Sequence, residues 1–357
     1  MRFSSRRSGA TKAILPRLTA ASVRHHYTTS SMKQRLSVAI ALAETHTLST
    51  DWIWGDEILA RGLSKHLNEN YDCRLVDGAE CRALANQERF DVAIYFHPWL
   101  EARIARFNLV WLQSPREGFW SHLTENQWIQ YWFDMVSSRF NGILCASKVL
   151  TDQFAQGGLP AYYFQQFADT DIYYRHELGG TGPSFDCIYV GNNIKGESGN
   201  RRGIYPIAEF CLREGLRFGL FGAGWRSAKE WRLLLPFMHG PVAAMRVPAL
   251  YSETKVVLNL HFPSHRRFGI FTSRVYEGLA CEAFVVSDSV RDSEEIPKTA
   301  ALLTSEPEGL VDGIARCLEM SPAKADEIGR QGRTLVRNEH SAATRAKTVQ
   351  RIISLHC

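Results

Sequence analysis

Short apolar runs that stop at polar or turn-forming residues recur along the chain, separated by stretches whose apolar positions fall three and four apart. Leu36–Ala43 is almost wholly apolar and ends at Glu44-Thr45-His46. From Asp51 to Asn68, the residues Ile53, Ile58, Leu59, Leu63 and Leu67 share one side of a helix. Strands are predicted at Cys73–Val76, Asp91–Phe96, Leu109–Leu112 and Ile143–Cys145, with a further helix near Glu80–Gln87. The alternation resumes with strands at Cys187–Val190, Phe218–Phe221, Lys255–Leu260, Phe284–Val286 and Ala301–Thr304. Helices are expected at Tyr205–Glu214 and Glu308–Glu319, and two more, Pro322–Asn338 and Ser341–Leu355, close the chain. Strands alternating with helices predict an α/β protein built on doubly wound parallel sheets. At 357 residues the natural division is two domains, 35–167 and 185–357, joined by a linker over 168–184 that carries a Gly-Gly-Thr-Gly-Pro run.

Sheets of this kind bind ligands beyond the carboxyl ends of their strands. His46, His97, Arg116, Glu117 and Ser147 all stand at such ends. Taken singly, each is equally readable as a helix cap, a loop ion pair or a satisfied core group. One stretch carries more. In Phe271–Asp288, FTSRVYEGLACEAFVVSD, a helix-entry signal at Thr272-Ser273 opens an amphipathic helix to about Glu282, and an apolar strand follows. Val275, Leu279 and Ala283 would face a sheet, while Arg274 and Glu277 share another side near the positive end of the helix dipole. A cation and the free N–H groups there can take a diphosphate, and the carboxylate a pair of ribose hydroxyls. The plainer alternatives are a surface ion pair and a capping box. The box fails by register, since Ser273 has Tyr276 three residues on and Thr272 has Val275.

Between Phe119 and Phe140 the chain is rich in aromatic residues (Trp120, Trp128, Tyr131, Trp132, Phe133). Helical spacing makes these core residues first, and a wall for a stacked acceptor second. The net charge of +5 is misleading, because residues 1–35 hold eight Lys/Arg and no acid, leaving 34 Lys/Arg against 37 Asp/Glu in the rest. A mildly acidic body gives no footprint for nucleic acid. Residues 1–34 are expected to be a disordered basic tail, either a mitochondrial-type presequence or the result of an early start codon with Met32 as the true beginning. Eight cysteines occur without any C-x-x-C or zinc spacing, which fits a reducing compartment and no structural metal. No long stretch is apolar enough to span a membrane, so at most peripheral membrane contact is expected, and a cytoplasmic location unless the tail is a genuine presequence.

Asn259, then SRVYEGLACEAFVVSD, then LLTSEPEGLVDGIARCLE resembles the C-terminal half of group 1 glycosyltransferases, and within them the branch named after the CgeB spore-maturation protein. YVGNN (Tyr189–Asn193) and GLFGAGW (Gly219–Trp225) are similar to its first two strand–loop units. The resemblance covers residues 184–350 well and 35–175 loosely. It implies a GT-B fold, two Rossmann-like domains facing across a cleft, and transfer of a sugar from a nucleotide-diphosphate sugar to a hydroxyl acceptor, glycan or lipid-linked. On the matched positions it implies donor binding by Gly191, Asn192, Arg201, Gly222, Gly224, Trp225, Asn259, Ser273, Arg274 and Glu277. Two departures stand out. Better-known members carry a further, catalysis-associated Glu eight residues before the ribose-binding one, where this chain has Gly269. Where they have Gly after the helix, it has Glu282.

Sugar transfer leaves growing negative charge on the departing diphosphate, so the site must aim cations and N–H dipoles at it. Arg274 is the first candidate, with Arg201, Arg202, Arg266 and Arg267 as assisting loop cations. His97 or Glu117 could act on the acceptor hydroxyl, which suits inversion, but relatives with both glutamates retain configuration, and retention is the expectation. No D-x-D follows an apolar strand, and Asp169-x-Asp171 lies in the linker, so transfer without a metal or other cofactor is expected. GAGWRS is close to a dinucleotide fingerprint but follows the second strand of its domain and lacks the acid about twenty residues on that such a motif needs. Its glycines are expected to let backbone approach a nucleotide closely. A nucleotide-sugar epimerase of the same fold and a non-catalytic nucleotide-sugar-binding module are the alternatives to a transferase.

Overall fold

Strands with apolar residues on both faces need a parallel sheet covered on both sides, and two such sheets form in the computed structural model. It describes residues 35–43, 55–100, 103–114, 124–177, 184–193, 199–228, 230–291, 295–297, 299–304 and 307–357. The basic tail, the glycine run of the linker, Trp120 and the loop candidates His46, Arg116 and Glu117 lie outside the described residues. Of Arg201 and Arg202 only the helical backbone is described.

The first sheet comprises β1 (Ser37–Ala41), β2 (Asp72–Val76), β3 (Phe90–Tyr95), β4 (Ala105–Leu112), β5 (Gly142–Cys145) and β6 (Ala161–Tyr163), all parallel, in the order β2-β1-β3-β4-β5-β6. Helices α1 (Gly55–Leu67), α2 (Gly78–Leu84), α3 (Glu125–Arg139) and α4 (Lys148–Gln156) connect them. The alternation of side chains along each strand divides its core. Ala39, Ala93, Tyr95, Val110 and Ile143 face one layer, and Val38, Ile40, Val92, Leu109 and Leu144 the other.

The second sheet repeats the plan with β7 (Phe185–Val190), α5 (Gly199–Glu214), β8 (Phe218–Phe221), α6 (Trp231–Leu234), β9 (Met238–Gly240), α7 (Val247–Ser252) and β10 (Thr254–Asn259). After these come α8 (Pro263–Phe268), α9 (Ser273–Ala280), β11 (Phe284–Asp288), β12 (Ala301–Thr304), α10 (Pro307–Leu318), α11 (Pro322–Glu339) and α12 (Ala342–His356). Its order is β12-β11-β10-β7-β8-β9, again all parallel. The α/β, doubly wound architecture expected from the alternation is thus observed, with the terminal helices in place.

Packing crosses the sequence-based domain boundaries in three places. Ala342, Ala346, Val349, Ile352 and Ile353 of α12 pack with Val38, Ile40, Leu59 and Leu63, so the last helix returns to the first sheet. The start of the linker is core, with Ala168 and Tyr173 buried and Ala168 paired to Ser341. Phe268 and Ile270 from the second half also join the first half's core, and Arg35–Cys357 forms one compact unit. No helix among the described residues is long and apolar enough to cross a membrane.

Asp186, at the start of β7, ties three strands together. It accepts from the Arg217 backbone N–H (3.0 Å) and side chain ahead of β8, and pairs with Lys255 on β10 at 3.0 Å. Burial pushes its carboxyl up, but the bonds from Arg217 and Lys255 outweigh this and hold it down at about 2. Its folded pKa lies below its unfolded one, so its stabilisation is complete above pH 4 and fades as pH falls toward 2. Asp186→Asn is expected to lower stability at pH 7 by about 1–2 kcal/mol, a value reduced because both partner cations are half in solvent. Urea titrations at pH 7 and pH 2.5 check this. The gap should narrow at the lower pH, where stabilisation by the carboxylate is fading, and a gap of equal size at both would contradict the assignment.

Candidate active site

Each sheet reverses its winding direction once, at β1 (between β2 and β3) and at β7 (between β8 and β10). Crevices at such reversal points, beyond the carboxyl ends, are where open α/β sheets take ligands. In the second sheet the crevice is organised by Asn259, the last residue of β10, which is fully buried. Its Oδ1 accepts from Thr272 Oγ1 (2.7 Å) and from Arg274 Nη1 (2.8 Å), and its Nδ2 donates to Ser287 Oγ (2.9 Å). Arg274 Nε donates to the carbonyl of Val190, the last residue of β7, and the guanidinium lies 4.7 Å over the Tyr189 ring. The arginine therefore spans the reversal point. Its Nη2 is directed at Gly191, where an added Cβ would stand 2.6 Å from it.

Burial alone would lower the Arg274 pKa. Tyr189, Tyr251, Glu277 and Asp288 outweigh it and raise the pKa, so the side chain stays cationic. Because Thr272 gives its hydroxyl to Asn259, α9 begins without a side-chain cap. Val275 N–H turns back to the Thr272 carbonyl at 3.1 Å, so the N–H groups of Ser273 and Arg274 are those left for a ligand. Glu277, one turn on, is buried and faces Ser273 and the Tyr173 hydroxyl. Burial pushes its carboxyl up against the pull of Ser273, Arg274 and Tyr173. A solvated surface ion pair, the plain alternative for Arg274 and Glu277, does not describe these surroundings.

Beneath Asn259 lies a pair not singled out from the sequence. His261 is buried, its backbone N–H and Nδ1 both meet Asp288 Oδ1 at 2.8 Å, and its Nε2 accepts from Asn259 Nδ2 at 3.0 Å and from the Thr272 N–H at 3.4 Å. Both residues stand at strand ends, which was the signal available for finding them.

The loops after β7 and β8 are zipped together. Gly191 N–H bonds Phe221 O, Asn193 N–H bonds Ala223 O, Ala223 N–H bonds Asn192 Oδ1, and Asn193 Nδ2 bonds Gly224 O. Gly222 and Gly224 have φ of 128° and 81°, and a Cβ at either would meet the facing loop's carbonyl at 2.2 or 2.4 Å. The close approach these glycines permit is thus between two loops of the chain itself. Trp225 is buried, donates from Nε1 to Gly191 O (2.9 Å) and packs edge-on to Tyr189. It braces the Gly191 loop.

Facing this crevice across the cleft is a cavity of about 950 Å³ at the carboxyl edge of the first sheet. Ala43, Asp56, Phe96, His97, Trp99, Trp111, Gln113 and Tyr131 line it from the first half, and His265, Thr272 and Ser273 close it from the second. His97 Nε2 meets Asp56 Oδ2 at 2.8 Å. Burial raises the Asp56 pKa, but the His97 contact outweighs it and the carboxyl is held below its usual value. Asp56 lay unnoticed in the sequence as one acid of a helix start. Ser147 caps α4 and donates to Phe268 O at 2.5 Å, a structural role. Trp128 is core, stacked on Phe268, whereas Tyr131 is 40% exposed at the cavity mouth. Arg266 approaches Asp288 at 3.9 Å and Arg267 bonds Glu125 at 2.6 Å. Among the described residues no three His, Cys, Asp or Glu gather as a metal site.

A family described as Glycosyl transferase-like matches residues 202–351, which include the Asn259–Arg274–Glu277 cluster. Residues 202–351 are thus similar to a glycosyl transferase-like domain. The whole fold is similar to solved GT-B glycosyltransferases. Sucrose-phosphate synthase from Thermosynechococcus elongatus superposes with a TM-score of 0.68 at 14% identity, over 90% of this chain and 99% of that one. The Anabaena protein HepE in complex with UDP and glucose gives 0.64 at 14% identity, over 90% and 100%. AviGT4, a glycosyltransferase of avilamycin A biosynthesis, gives 0.60 at 14% identity, over 89% and 97%. No curated protein matches the chain by sequence.

Both departures from the group 1 pattern fall at residues with left-handed backbone. Glu282 sits at φ 59°, the left-handed conformation that glycine favours, and pairs with Arg175 (3.4 Å) and Arg333 (2.8 Å). Gly269 ends α8 at φ 70°, and a Cβ there would meet Arg291 O at 2.6 Å. The missing glutamate therefore has no room at this position. Gly269→Glu is expected to destabilise the protein by about 1–3 kcal/mol, read as a fall of several degrees in Tm by scanning calorimetry. An unchanged or raised Tm would show that the loop accepts the side chain.

Proposed function

We propose that the protein is a glycosyltransferase that moves a sugar from a nucleotide-diphosphate sugar to a hydroxyl acceptor without a bound metal, in the cytoplasm. One observation carries this reading: the uncapped start of α9 and the Arg274 guanidinium converge on the reversal point of the second sheet, opposite a cavity that holds His97. A diphosphate at α9 meets N–H donors, the helix dipole and a cation fixed in place before the ligand arrives. Glu277 then receives the ribose hydroxyls. That HepE was solved with UDP and with UDP-glucose supports a uridine nucleotide as the first donor to test.

In the reaction, the bond between the anomeric carbon and the diphosphate oxygen breaks, and a bond from that carbon to the acceptor oxygen forms. The charge that builds on the leaving diphosphate is met by Arg274 and the α9 N–H groups. The acceptor's proton passes to His97. With Nε2–H directed at Asp56, the imidazole keeps its other nitrogen as a base, and the carboxylate stabilises the imidazolium that forms. Asp56 is thus a positioning residue for His97. A base on the acceptor side suits a single displacement with inversion, which the anomeric coupling in the product's NMR spectrum reports.

Arg274→Ala is expected to reduce turnover of UDP-glucose by roughly 10²-fold, the cost of removing one preorganised donor, while Arg274→Lys recovers part of it. Donor consumption is followed with and without acceptor, and Tm is measured alongside because Arg274 also bridges β7 and β10. A stably folded Arg274→Ala protein that turns over at the parental rate would refute the assignment.

A further inference from the structure

The helix that carries Arg274 and Glu277 cannot hold itself in place. α9 has only eight residues and no side-chain cap, and a helix that short is marginal without tertiary support. Between the two site residues, on another side of the helix, stands Tyr276. It is buried, and its hydroxyl donates to Glu295 Oε1 at 2.6 Å. What holds Glu295 therefore bears on where Arg274 stands.

Glu295 belongs to the segment between β11 and β12, in the second half, but its other partners do not. Its Oε2 accepts from the hydroxyl of Tyr163, the last residue of β6, at 2.7 Å, and from Gln165 Nε2. Gln165 is held in turn by Arg345 on α12, which donates to its backbone oxygen at 3.1 Å and to its side-chain oxygen at 2.8 Å. Arg345 Nη2 also donates to His340 Nδ1 at 3.1 Å, and the His340 ring stacks on Tyr276 with centroids 4.7 Å apart. The contacts close a ring: Tyr276, Glu295, Gln165, Arg345, His340 and back to Tyr276. Tyr163 enters it at the carboxylate. Burial pushes the Glu295 carboxyl up against the pull of Tyr276, Tyr163 and Arg345, so its charge leans on these donors.

The ring lies where the chain passes between its halves. Ala168 N–H bonds His340 O at 3.0 Å and Ala342 N–H bonds Ala168 O at 3.1 Å. The segment leaving the first sheet and the one returning to it thus run side by side, close to Gln165 and at His340 itself.

We propose that Glu295 is a positioning residue for the donor site, through which Tyr163 and Gln165 of the first half set the place of Arg274 and with it the affinity for a nucleoside diphosphate. This rests on the donor reading above. Loss of the Tyr163 hydroxyl removes one charge-assisted bond from the carboxylate. The carboxylate is then freer to turn from Tyr276, and α9 loses support on the side away from the ligand.

Calorimetric titration of the full chain with UDP tests this in a double-mutant cycle of Tyr163→Phe and Arg274→Ala. Tyr163→Phe keeps the ring and its packing. It is expected to weaken UDP binding by about fivefold or more, the lower end of the range for coupled sites, and Glu295→Gln by at least as much. In the Arg274→Ala background most of the Tyr163→Phe effect should vanish, because the cation being positioned is gone. A general loss of stability would lower the Tm and leave the two effects additive, so Tm is measured alongside. Parental UDP affinity in Tyr163→Phe, or an effect undiminished without Arg274, would overturn the proposal and leave the donor reading in place. No binding of UDP by the parental protein would overturn the donor reading itself, and this proposal with it.

Discussion

A single buried amide decides where the second half of the molecule can hold a ligand. Asn259 cannot be satisfied by water, so its donors and acceptor must be met by neighbours, and the neighbours it recruits are Thr272, Arg274, Ser287 and His261. Two consequences follow from that geometry. Thr272 gives up capping α9, so the helix presents open N–H groups. Arg274 is drawn flat across Tyr189 to the end of β7, its charge fixed at the reversal point before any ligand arrives. His261 and Asp288 form a second layer that fixes the amide's own orientation.

The same helix is anchored from behind. Tyr276, between Arg274 and Glu277, donates to Glu295 at 2.6 Å, and Tyr163 of the first sheet donates to that carboxylate at 2.7 Å. Arg345 on α12 holds Gln165 through its backbone and side-chain oxygens. His340, stacked on Tyr276, is pushed down to about 3 by burial and by Arg345, and stays neutral. Elements from both halves and the returning C-terminal helix meet in this buried polar cluster. Two crevices that lie far apart in sequence are thereby held face to face, and the packing of Phe268 against Trp128 reinforces the register.

Much of this was legible in the chain. Strand–helix alternation gave the architecture, and the rule of strand ends pointed to His97 and to the α9 region. What escaped had physical reasons. β6 and β9 have three residues each, too short for a period to show, and β4 begins four residues early through the polar pattern Ala105-Arg106-Phe107-Asn108. α5 starts before Pro206, which suggested a boundary but is tolerated inside the helix. α2 begins early because Asp77 caps it. In the site, Asn259 was visible only through family resemblance, since nothing about an Asn at a strand end reveals that it is buried and fully bonded. Asp56 and His97 are 41 residues apart, and only the fold brings them to 2.8 Å. The glycines of the β8 loop were read as room for a nucleotide, whereas their positive φ values serve the contact with the β7 loop.

A crystal structure with UDP tests the central claim most directly. The diphosphate should lie at the first turn of α9, beside Arg274 and the Gly191 loop, with the ribose hydroxyls toward Glu277. Density for the nucleotide in another crevice, such as the one of about 520 Å³ beside Arg175 and Lys255, with the α9 site empty, would contradict the account.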